Sequence, residues 1–503
     1  MKRDCTRRMV FATRQWRDPL LCLGSVRNAG ERTPIARGAF SGSAVGWGRW
    51  LRLVIVGLCG LAACATLPEF KPLLESGERA PARMVGARRV LSPERSEEIL
   101  DRLRGQGKDD ILSRHLAFVE DVTGAPLIVG NHAGLLIDGP ASYAAMLRAI
   151  AAASDHINLE TFTFRDDELG QKLADALLQK QAQGVQVNII YDSLGSIGTP
   201  QAFFDRMTAR GVAVLEYNPV NPTRQNPLSL GHRDHRKMLV VDGQVAFTGG
   251  INIQSAYGRS SASVRRGEES PQTDEGWRDT EIEIRGPAVA AFQRLFLETW
   301  RKQKGPPLAA RNYFPSLDRA GREIIQVIAS SPDDNQSVIY LTLLSAIFNA
   351  ERSVYLTTAY FVPDPQMLDA LVGARRRGVD VKMILPGVTD FSMVLYAGRS
   401  HYAELLRAGV EIHERRDVML HAKTAVIDGV WSTVGSANMD LWSFVQNDEV
   451  NAVVLNEEFA HQMEAMFDAD VAAATRIEPG AWEHRSLGMH FMELFARAWE
   501  AFL

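Results

Sequence analysis

Runs of apolar residues along the chain predict two copies of a strand–helix–strand unit. In each copy, two short segments rich in Val, Ile and Leu flank a longer segment with helical periodicity. Strands that alternate with helices are typical of parallel pairing. The pattern therefore predicts an α/β fold with two similar lobes. The predicted strands are residues 156–162, 185–191, 354–358 and 379–385, and the predicted helices are residues 167–183 and 365–377.

Two further apolar runs, Met238–Val241 and residues 425–427, are each followed by Asp-Gly. An Asp-Gly pair behind a buried strand predicts a tight hairpin turn. Asp242 and Asp428 therefore occupy turn positions, and we expect them to support the strands.

The residues around these hairpins form an internal repeat. Both copies read H-x-K-x-x-x-x-D-G and continue to an Asn at the same spacing, and each residue of the second copy lies 186 positions after its counterpart. Four chemically distinct positions at one offset indicate a duplicated fold with one half-site per copy. The repeated residues are His235, Lys237, Asp242 and Asn252 in the first copy and His421, Lys423, Asp428 and Asn438 in the second.

The spacing of the motif suits phosphate chemistry. Residues two apart on a strand share a face, so His235 and Lys237 should project together while Arg236 points away. A neutral imidazole can attack or transfer a proton, and a fixed ammonium holds negative charge. His232 could suggest a metal pair with His235, but the second copy does not repeat it. The sequence therefore predicts a site without a metal or another cofactor.

The motif resembles the signature of the phospholipase D superfamily, which is H-x-K-x-x-x-x-D followed by Gly, then Ser or Gly, and Asn two residues later. The second copy continues as Gly-Ser-Ala-Asn at 435–438 and Asn-Asp-Glu at 447–449. The first continues as Gly-Gly-Ile-Asn at 249–252 and Trp-Arg-Asp at 277–279. The resemblance covers roughly residues 120 to 480. The amino-acid sequence around the first motif is most similar to that of bacterial cardiolipin synthases.

This resemblance implies two pseudo-symmetric lobes, each a mixed or parallel sheet flanked by helices, with one shared active site between them. It implies that His235 is the nucleophile and His421 the general acid. It also assigns Asp279 as the carboxylate that orients His235, and Glu449 as the one that orients His421. As parts of the motif, the two turn aspartates join the candidate catalytic set. The residues that would hold the phosphoryl oxygens are Lys237, Lys423, Asn252 and Asn438.

Charge is distributed unevenly along the 503 residues. Residues 1–64 hold 11 Lys+Arg and 3 Asp+Glu, which leaves a net charge of −12 on the remainder. An acidic body argues against nucleic acid as a partner, because such binding depends on the neutralisation of phosphates.

The leading segment has the features of a secretory signal. Arg49 and Arg52 precede a short apolar run that ends in Leu-Ala-Ala-Cys64, and the run is shorter than the ~20 residues needed to span a bilayer. The ending resembles a bacterial lipoprotein box, so Cys64 is the predicted lipidation site. An uncleaved membrane anchor is the alternative. Ala65 favours outer-membrane sorting, whereas the presumed lipid substrate is made at the inner membrane, and the sequence leaves this conflict open.

These observations predict the following organisation of the chain. Compared with the second copy, the first has 16 extra residues between its Asn and the following acidic residue, and this insertion could cover the entrance or be a solvated loop. The predicted divisions are a leader with a lipoprotein-type signal at 1–64, a tether and helical lead-in at 65–115, lobe 1 at 116–302, a linker and the start of lobe 2 at 303–330, and lobe 2 at 331–503. Ser92 and Pro93 predict the start of a helix in the lead-in.

The predicted function is phosphatidyl transfer between two phosphatidylglycerol molecules through a phosphohistidine, at a membrane surface of the bacterial envelope. A hydrolytic phospholipase D is the nearest alternative. A nuclease of the same superfamily fits less well with the acidic body, and a non-catalytic lipid-binding lipoprotein fits less well with two intact motifs. Because both half-sites lie in one chain, a monomer would hold a complete site, and the sequence leaves the oligomeric state open.

Overall fold

The computed structural model describes residues 67–75, 82–104, 111–220, 231–262, 276–334 and 337–500. The predicted signal, with its lipidation site Cys64, and the middle of the insertion lie outside these residues.

The lead-in and lobe 1 contain nine strands within the described residues. They are β1 (Met84–Val85), β2 (Leu127–Ile137), β3 (His156–Thr161), β4 (Gln186–Asp192), β5 (Ala213–Tyr217), β6 (Arg233–Asp234), β7 (Met238–Val241), β8 (Val245–Gly249) and β9 (Thr280–Arg285). The α-helices are α1 (Phe70–Glu75), α2 (Pro93–Arg104), α3 (Leu116–Thr123), α4 (Asp138–Ala152), α5 (Glu168–Ala182), α6 (Gln201–Thr208) and α7 (Val289–Lys302).

Lobe 2 has a similar order of elements and adds one short strand and two helices at its end. Its strands are β10 (Glu323–Ser330), β11 (Ser353–Thr357), β12 (Asp380–Pro386), β13 (Glu411–Arg415), β14 (Thr424–Ile427), β15 (Trp431–Gly435), β16 (Asn447–Leu455) and β17 (Thr475–Arg476). Its α-helices are α8 (Val338–Asn349), α9 (Pro365–Arg376), α10 (Ser392–Ser400), α11 (Tyr402–Ala408), α12 (Glu457–Ala473), α13 (Pro479–Glu483) and α14 (Leu487–Arg497).

The two lobes have the same sheet topology. In lobe 1 the strand order is β5-β4-β3-β7-β8-β9-β2, and in lobe 2 it is β13-β12-β11-β14-β15-β16-β10. The strand–helix–strand units pair in parallel, β3 with β4 and β11 with β12, as predicted. The hairpin strands run antiparallel to their neighbours, so each sheet is mixed. The edge strands β2 and β10 pair antiparallel and join the two sheets. The predicted fold class is confirmed.

The motif strands β7 and β14 are mostly apolar, and both of their faces are buried. In β7, Leu239 and Val241 pack in the outer core of lobe 1, whereas Met238 and Val240 pack in a core shared with lobe 2. The matching strand β14 sends Val426 into the same shared core. This shared core lies between the two lobes and holds their motif strands against each other.

The Asp-Gly turns form as predicted. Asp242 and Gly243 have φ values of 53° and 62°, and Asp428 and Gly429 have φ values of 53° and 63°. Two successive residues with positive φ are typical of the type I′ hairpin turn, which matches the twist of the flanking strands. Both motif strands therefore fold back at the expected residue.

The lead-in packs on the protein, in contrast to the predicted tether. The side chain of Phe70 is buried, with its ring centroid 5.5 Å from that of Phe118 and 5.7 Å from that of Phe348. Strand β1 pairs parallel with β2, and helix α2 begins at the predicted Pro93. Helix α3, assigned to lobe 1 by the predicted boundary at 116, packs in the core of lobe 2. Apolar side chains in the lead-in bury enough surface to dock it there.

Candidate active site

Each motif histidine is held by a strand end of the opposite lobe. The backbone N–H of His235, in lobe 1, donates to the carbonyl oxygen of Asp448 in lobe 2 at 2.9 Å. The backbone N–H of His421, in lobe 2, donates to the carbonyl oxygen of Arg278 in lobe 1 at 2.8 Å. Strand β6, which leads into His235, pairs parallel with the start of β16. The two histidines thus approach one site from opposite lobes.

The orienting carboxylates are exchanged between the lobes. His235 Nδ1 lies 2.9 Å from Glu449 Oε1, and His421 Nδ1 lies 2.8 Å from Asp279 Oδ2. The predicted pairing of each histidine with the carboxylate of its own copy is therefore wrong. The exchange follows from the backbone bonds between the lobes. His235 is bonded to Asp448, so the next residue, Glu449, lies beside it. His421 is bonded to Arg278, so the next residue, Asp279, lies beside it. Sequence order alone does not reveal this exchange.

The side chains of the two orienting carboxylates differ in length, and the residue that contacts each of them differs in size. Ser436 donates its hydroxyl to the second oxygen of Glu449. The equivalent position in copy one is Gly250, where a Cβ atom would lie 2.2 Å from Asp279 Oδ1. The shorter Asp therefore occupies the space that a serine side chain would need. A further bond to Asp279 Oδ1 comes from the backbone N–H of Thr280 at 2.7 Å.

The lysines bind to the histidines of their own copies. Lys237 Nζ donates to the carbonyl oxygen of His235 at 2.6 Å, and Lys423 Nζ donates to that of His421. Both lysines precede the motif strands, which begin at Met238 and Thr424, so they do not lie on the strands as predicted. Burial is the main cause that lowers the pKa of Lys237 to about 7 and that of Lys423 to about 8. An arriving phosphate would favour their charged forms.

Burial favours the neutral form of both histidines. Burial lowers the pKa of His235 to about 4, against the opposing effect of the Glu449 carboxylate, and it also lowers the pKa of His421. The neighbouring Lys423 adds to the effect on His421. Because a carboxylate accepts a hydrogen bond at each Nδ1, the proton is placed on Nδ1 and the lone pair is left on Nε2. A neutral imidazole in this tautomer is a competent nucleophile.

The two histidines and the two motif asparagines line one cleft of about 610 Å³. The side-chain oxygen of Asn252 accepts from the backbone N–H of Thr163 at 3.3 Å, which leaves its amide group as a donor. Aromatic and aliphatic side chains from both lobes form much of the remaining wall. They are Phe162, Leu194, Trp277, Tyr360, Phe391, Val394 and Trp442.

The turn aspartates support the strands, as expected from their place before Gly. Asp242 accepts hydrogen bonds from the backbone N–H groups of residues 154, 155 and 156 at 2.8–3.0 Å. Asp428 accepts from those of residues 351, 352 and 353 at 2.7–2.9 Å. Each carboxylate therefore fixes the start of the neighbouring strand, β3 or β11. Within the candidate catalytic set, the two turn aspartates have a structural role.

Arg236 points away from the cleft and links the lobes behind His235. Its guanidinium donates to the carbonyl oxygens of Glu449 at 3.2 Å and Ser330 at 3.1 Å, both in lobe 2. Arg278 has the matching place behind His421, where it donates to Asp470 of lobe 2. Buried bonds of charged groups are geometrically specific, so these two arginines fix how the lobes meet.

The ends of the insertion contact His421, a feature that sequence analysis missed. The hydroxyl of Tyr257 lies 3.0 Å from His421 Nδ1, and the ring of Trp277 lies 5.5 Å from the imidazole. The carbonyl oxygen of Ala256 accepts from the N–H groups of Gly276 and Trp277, which brings the two ends together. Aromatic residues at both ends of the insertion were the available signal.

Glu281 is a second residue that sequence analysis missed. It lies in β9 opposite Gly249, fully buried, and neither carboxyl oxygen has a hydrogen-bond partner within the described residues. Burial, together with the nearby charge of Asp279, raises its pKa well above the ordinary value. Burial therefore favours the protonated form of this carboxyl group.

The ring of His232 is hydrogen-bonded to Tyr217 and not to His235. Its Nε2 lies 2.9 Å from the hydroxyl of Tyr217 and 3.4 Å from Asp448 Oδ1. In the part of the chain that the structure describes, no group of three His, Cys, Asp or Glu side chains is arranged to hold a metal ion.

Two histidine–carboxylate pairs around one cleft, on a duplicated α/β fold, define an enzyme of the phospholipase D-like class. The family model described as "Cardiolipin synthase, PLD-like domain" matches residues 146–261 and 343–471, one part in each lobe. The cardiolipin synthase of Geobacillus thermodenitrificans is 35% identical over 378 residues, which are 74% of this chain and 72% of that protein. Cardiolipin synthase A of Pseudomonas aeruginosa is 38% identical over 361 residues, or 71% of this chain and 70% of that protein. The chain belongs to the cardiolipin synthase family of phospholipase D-like enzymes.

A solved structure shares the fold. The phosphatidylserine synthase of Haemophilus influenzae Rd KW20 matches with a TM-score of 0.56 at 13% identity, covering 80% of this chain and 97% of that one. At this level of identity the likeness concerns the fold alone.

Proposed function

We propose that the chain is a cardiolipin synthase that transfers a phosphatidyl group from one phosphatidylglycerol to another and releases glycerol. The observation that carries the proposal is the pair of histidines, each bound to a carboxylate of the other lobe, at one partly apolar cleft. The family relationship supplies the substrate class.

The reaction proceeds in two displacements at phosphorus. His235 Nε2 attacks, the P–N bond forms and the P–O bond to the glycerol headgroup breaks, while His421, in the protonated form that the arriving anionic phosphate favours, gives the leaving oxygen a proton. A terminal hydroxyl of a second phosphatidylglycerol then loses its proton to His421 and attacks phosphorus, and the P–N bond breaks. His235 is restored and cardiolipin is formed. Glu449 stabilises the positive charge that His235 carries while it is phosphorylated.

The lysines and asparagines of the motifs stabilise the negative charge on the phosphoryl oxygens. Lys237, Lys423, Asn252 and Asn438 are buried donors around the histidines. Fixed donors in a site with little water stabilise a charged transition state without reorganisation. We expect catalysis without a metal ion, so that activity survives chelation with EDTA.

The apolar wall of the cleft favours transfer over hydrolysis. Tyr360, Phe391 and Val394 are part of this wall. They would contact acyl chains and keep water from the phosphohistidine, which protects such intermediates. A hydrolytic phospholipase D is the second candidate, and it would release phosphatidic acid.

We also propose that the protein is held at a membrane of the bacterial envelope by a lipid on Cys64. The support is the basic flank, the short apolar run and the Leu-Ala-Ala-Cys ending. Over the described ranges, the helices include none that is both long and apolar enough to cross a bilayer. Mass spectrometry of the mature protein tests this, since an unmodified chain that begins near Met1 would refute both the cleavage and the anchor.

Incubation with phosphatidylglycerol vesicles tests the reaction. Cardiolipin and glycerol should form in equal amounts with little phosphatidic acid, and added glycerol should drive the reaction backward. His235→Ala and His421→Ala should each abolish turnover while the protein stays folded. Phosphatidic acid as the main product at every lipid density would refute the synthase and favour the hydrolase.

A further inference from the structure

Helix α14, near the C-terminus, exposes most of its large apolar residues and buries Glu493. Leu487, Phe491 and Leu494 are 87%, 66% and 69% exposed, whereas Glu493 is 3% exposed. Phe495 extends the same face, because positions four and seven or eight residues apart on a helix lie together. A helix at a water-facing surface normally has the opposite arrangement. We call Leu487, Phe491, Leu494 and Phe495 the apolar face.

The polar side of α14 is fixed to the protein by specific bonds. Arg485 pairs with Glu493 at 2.6 Å beneath the helix. Just after the helix, Glu500 accepts from His401 Nε2 at 2.7 Å and from the Ser400 hydroxyl at 3.2 Å. These bonds set the rotation of the helix about its axis, so the outward direction of the apolar face is built into the fold.

The helix continues into the wall of the cleft. Ala496, on its inner side, packs in a small cluster with Val362, Val394 and Ala397. Val394 and Ala397 belong to α10, and Val394 also lines the cleft with the half-exposed Phe391 at the start of that helix. The apolar face is therefore carried by the same group of helices that forms one side of the site.

We propose that the apolar face docks into the surface of a lipid bilayer and sets the cleft against the membrane from which its substrates come. The proposal rests on the proposed function, because it takes the substrate to be a membrane lipid. Eleven residues of helix are about 16 Å long, against a hydrocarbon core of about 30 Å, so the helix lies in the plane of the interface. A helix with large apolar side chains on one face binds membranes in this way. Its continuity with the cleft wall favours a bilayer over a protein partner, since the occupant must also deliver lipid to Val394.

Cross-linking identifies what covers this face. The full chain is made with p-benzoyl-phenylalanine in place of Phe491. In a matched control the same probe replaces Phe314, which is also exposed but lies in the linker between the lobes. Both proteins are irradiated on vesicles of radiolabelled phosphatidylglycerol. We expect label on the chain only with the probe at position 491. A covalent dimer without label would show an interface between copies, and a cross-link within the chain would show a segment of the protein itself, and either result would overturn the proposal.

Activity measures the consequence for catalysis. In the double variant Phe491→Ser, Leu494→Ser, we expect turnover of vesicle lipid to fall at least about tenfold, because two large apolar side chains no longer enter the bilayer. Turnover of a short-chain phosphatidylglycerol dispersed as monomers should be unchanged, as should both activities of the control variant Val90→Ser, Phe314→Ser. Equal losses on both substrates would mean that the helix only supports the fold, and no loss would refute docking. The cross-link is informative even if the wild type makes no cardiolipin, so failure of the proposed function is seen separately.

Discussion

Replacement of Glu449 by Gln should slow the step in which His235 reacts. The variant keeps the shape of the buried side chain and can still accept a hydrogen bond from His235 Nδ1, 2.9 Å away. The amide can point to Ser436, whose hydroxyl can also accept. Only the negative charge is lost, so the change tests the charge rather than the packing.

The magnitude follows from the distance between the charges. When His235 is phosphorylated, its positive charge lies about 4 Å from the carboxylate, an attraction of about 4 kcal/mol at an effective dielectric constant of about 20. The hydrogen bond that remains in Glu449→Gln offsets about 1 kcal/mol. A net loss of about 3 kcal/mol corresponds to a rate that is roughly 100-fold lower. His235→Ala removes the nucleophile itself and should have a larger effect.

A substrate with an activated leaving group separates the two histidines. Departure of p-nitrophenolate from a phosphatidyl p-nitrophenyl ester needs no proton, so the burst of p-nitrophenolate reports attack without general-acid help. Asp279→Asn, which acts on His421, should regain a burst near that of the wild type. Glu449→Gln should remain slow with this ester.

The pairing of each carboxylate with the histidine of the other lobe is refuted if each carboxylate variant behaves like the histidine variant of its own copy. His421→Ala serves as the reference, because it should be restored by the activated ester together with Asp279→Asn. If Glu449→Gln is restored with His421→Ala, while Asp279→Asn stays slow with His235→Ala, each carboxylate acts within its own copy. Restoration of both His235→Ala and Glu449→Gln would instead show that His421 is the nucleophile.

Three further predictions concern other residues of the site. Gly250→Ala should cut activity by about tenfold or more, because its Cβ would displace the Asp279 carboxylate; kinetics against the control Gly480→Ala, which has open space around its Cβ, checks this. Asp428→Ala should lower the free energy of unfolding by about 2–3 kcal/mol through three lost backbone bonds, while folded protein at low temperature keeps its kcat; loss of kcat alone would contradict the structural role. Glu281→Gln should stabilise the protein more at pH 8 than at pH 4, because a buried carboxyl group with a raised pKa costs stability once the pH exceeds its pKa in the unfolded chain. Urea unfolding at both pH values checks this, and an equal effect at the two would contradict it.

The sequence predicted the parts of the fold that depend on local pattern. Strands and helices of the repeated unit agree with the structure to within one or two residues, because apolar periodicity and the Asp-Gly turns are local signals. The structure also brings the repeated histidines and asparagines to one cleft. What sequence analysis missed depends on pairing between distant strands. The exchange of Asp279 and Glu449 between the lobes is the main example.

The lead-in and the insertion show the same limit. A composition rich in Pro, Gly and Arg predicted a tether, but single apolar residues such as Phe70 and Met84 were enough to dock the described parts on the protein. In the insertion, Tyr257 and Trp277 are ordinary loop aromatics by sequence, and their contact with His421 follows from the fold of the whole lobe.

The exchange of carboxylates also bears on how such a chain could arise. A single copy of the motif would hold a histidine without its carboxylate and a carboxylate without its histidine, so a one-copy ancestor could work only as a symmetric pair of identical subunits. In that pair every substitution would change both half-sites at once. Joining the copies in one polypeptide removes this constraint, and the two halves here have already diverged, with Gly250 and Asp279 serving His421 while Ser436 and Glu449 serve His235. Fusion thereby allows one histidine to be shaped for attack and the other for proton transfer.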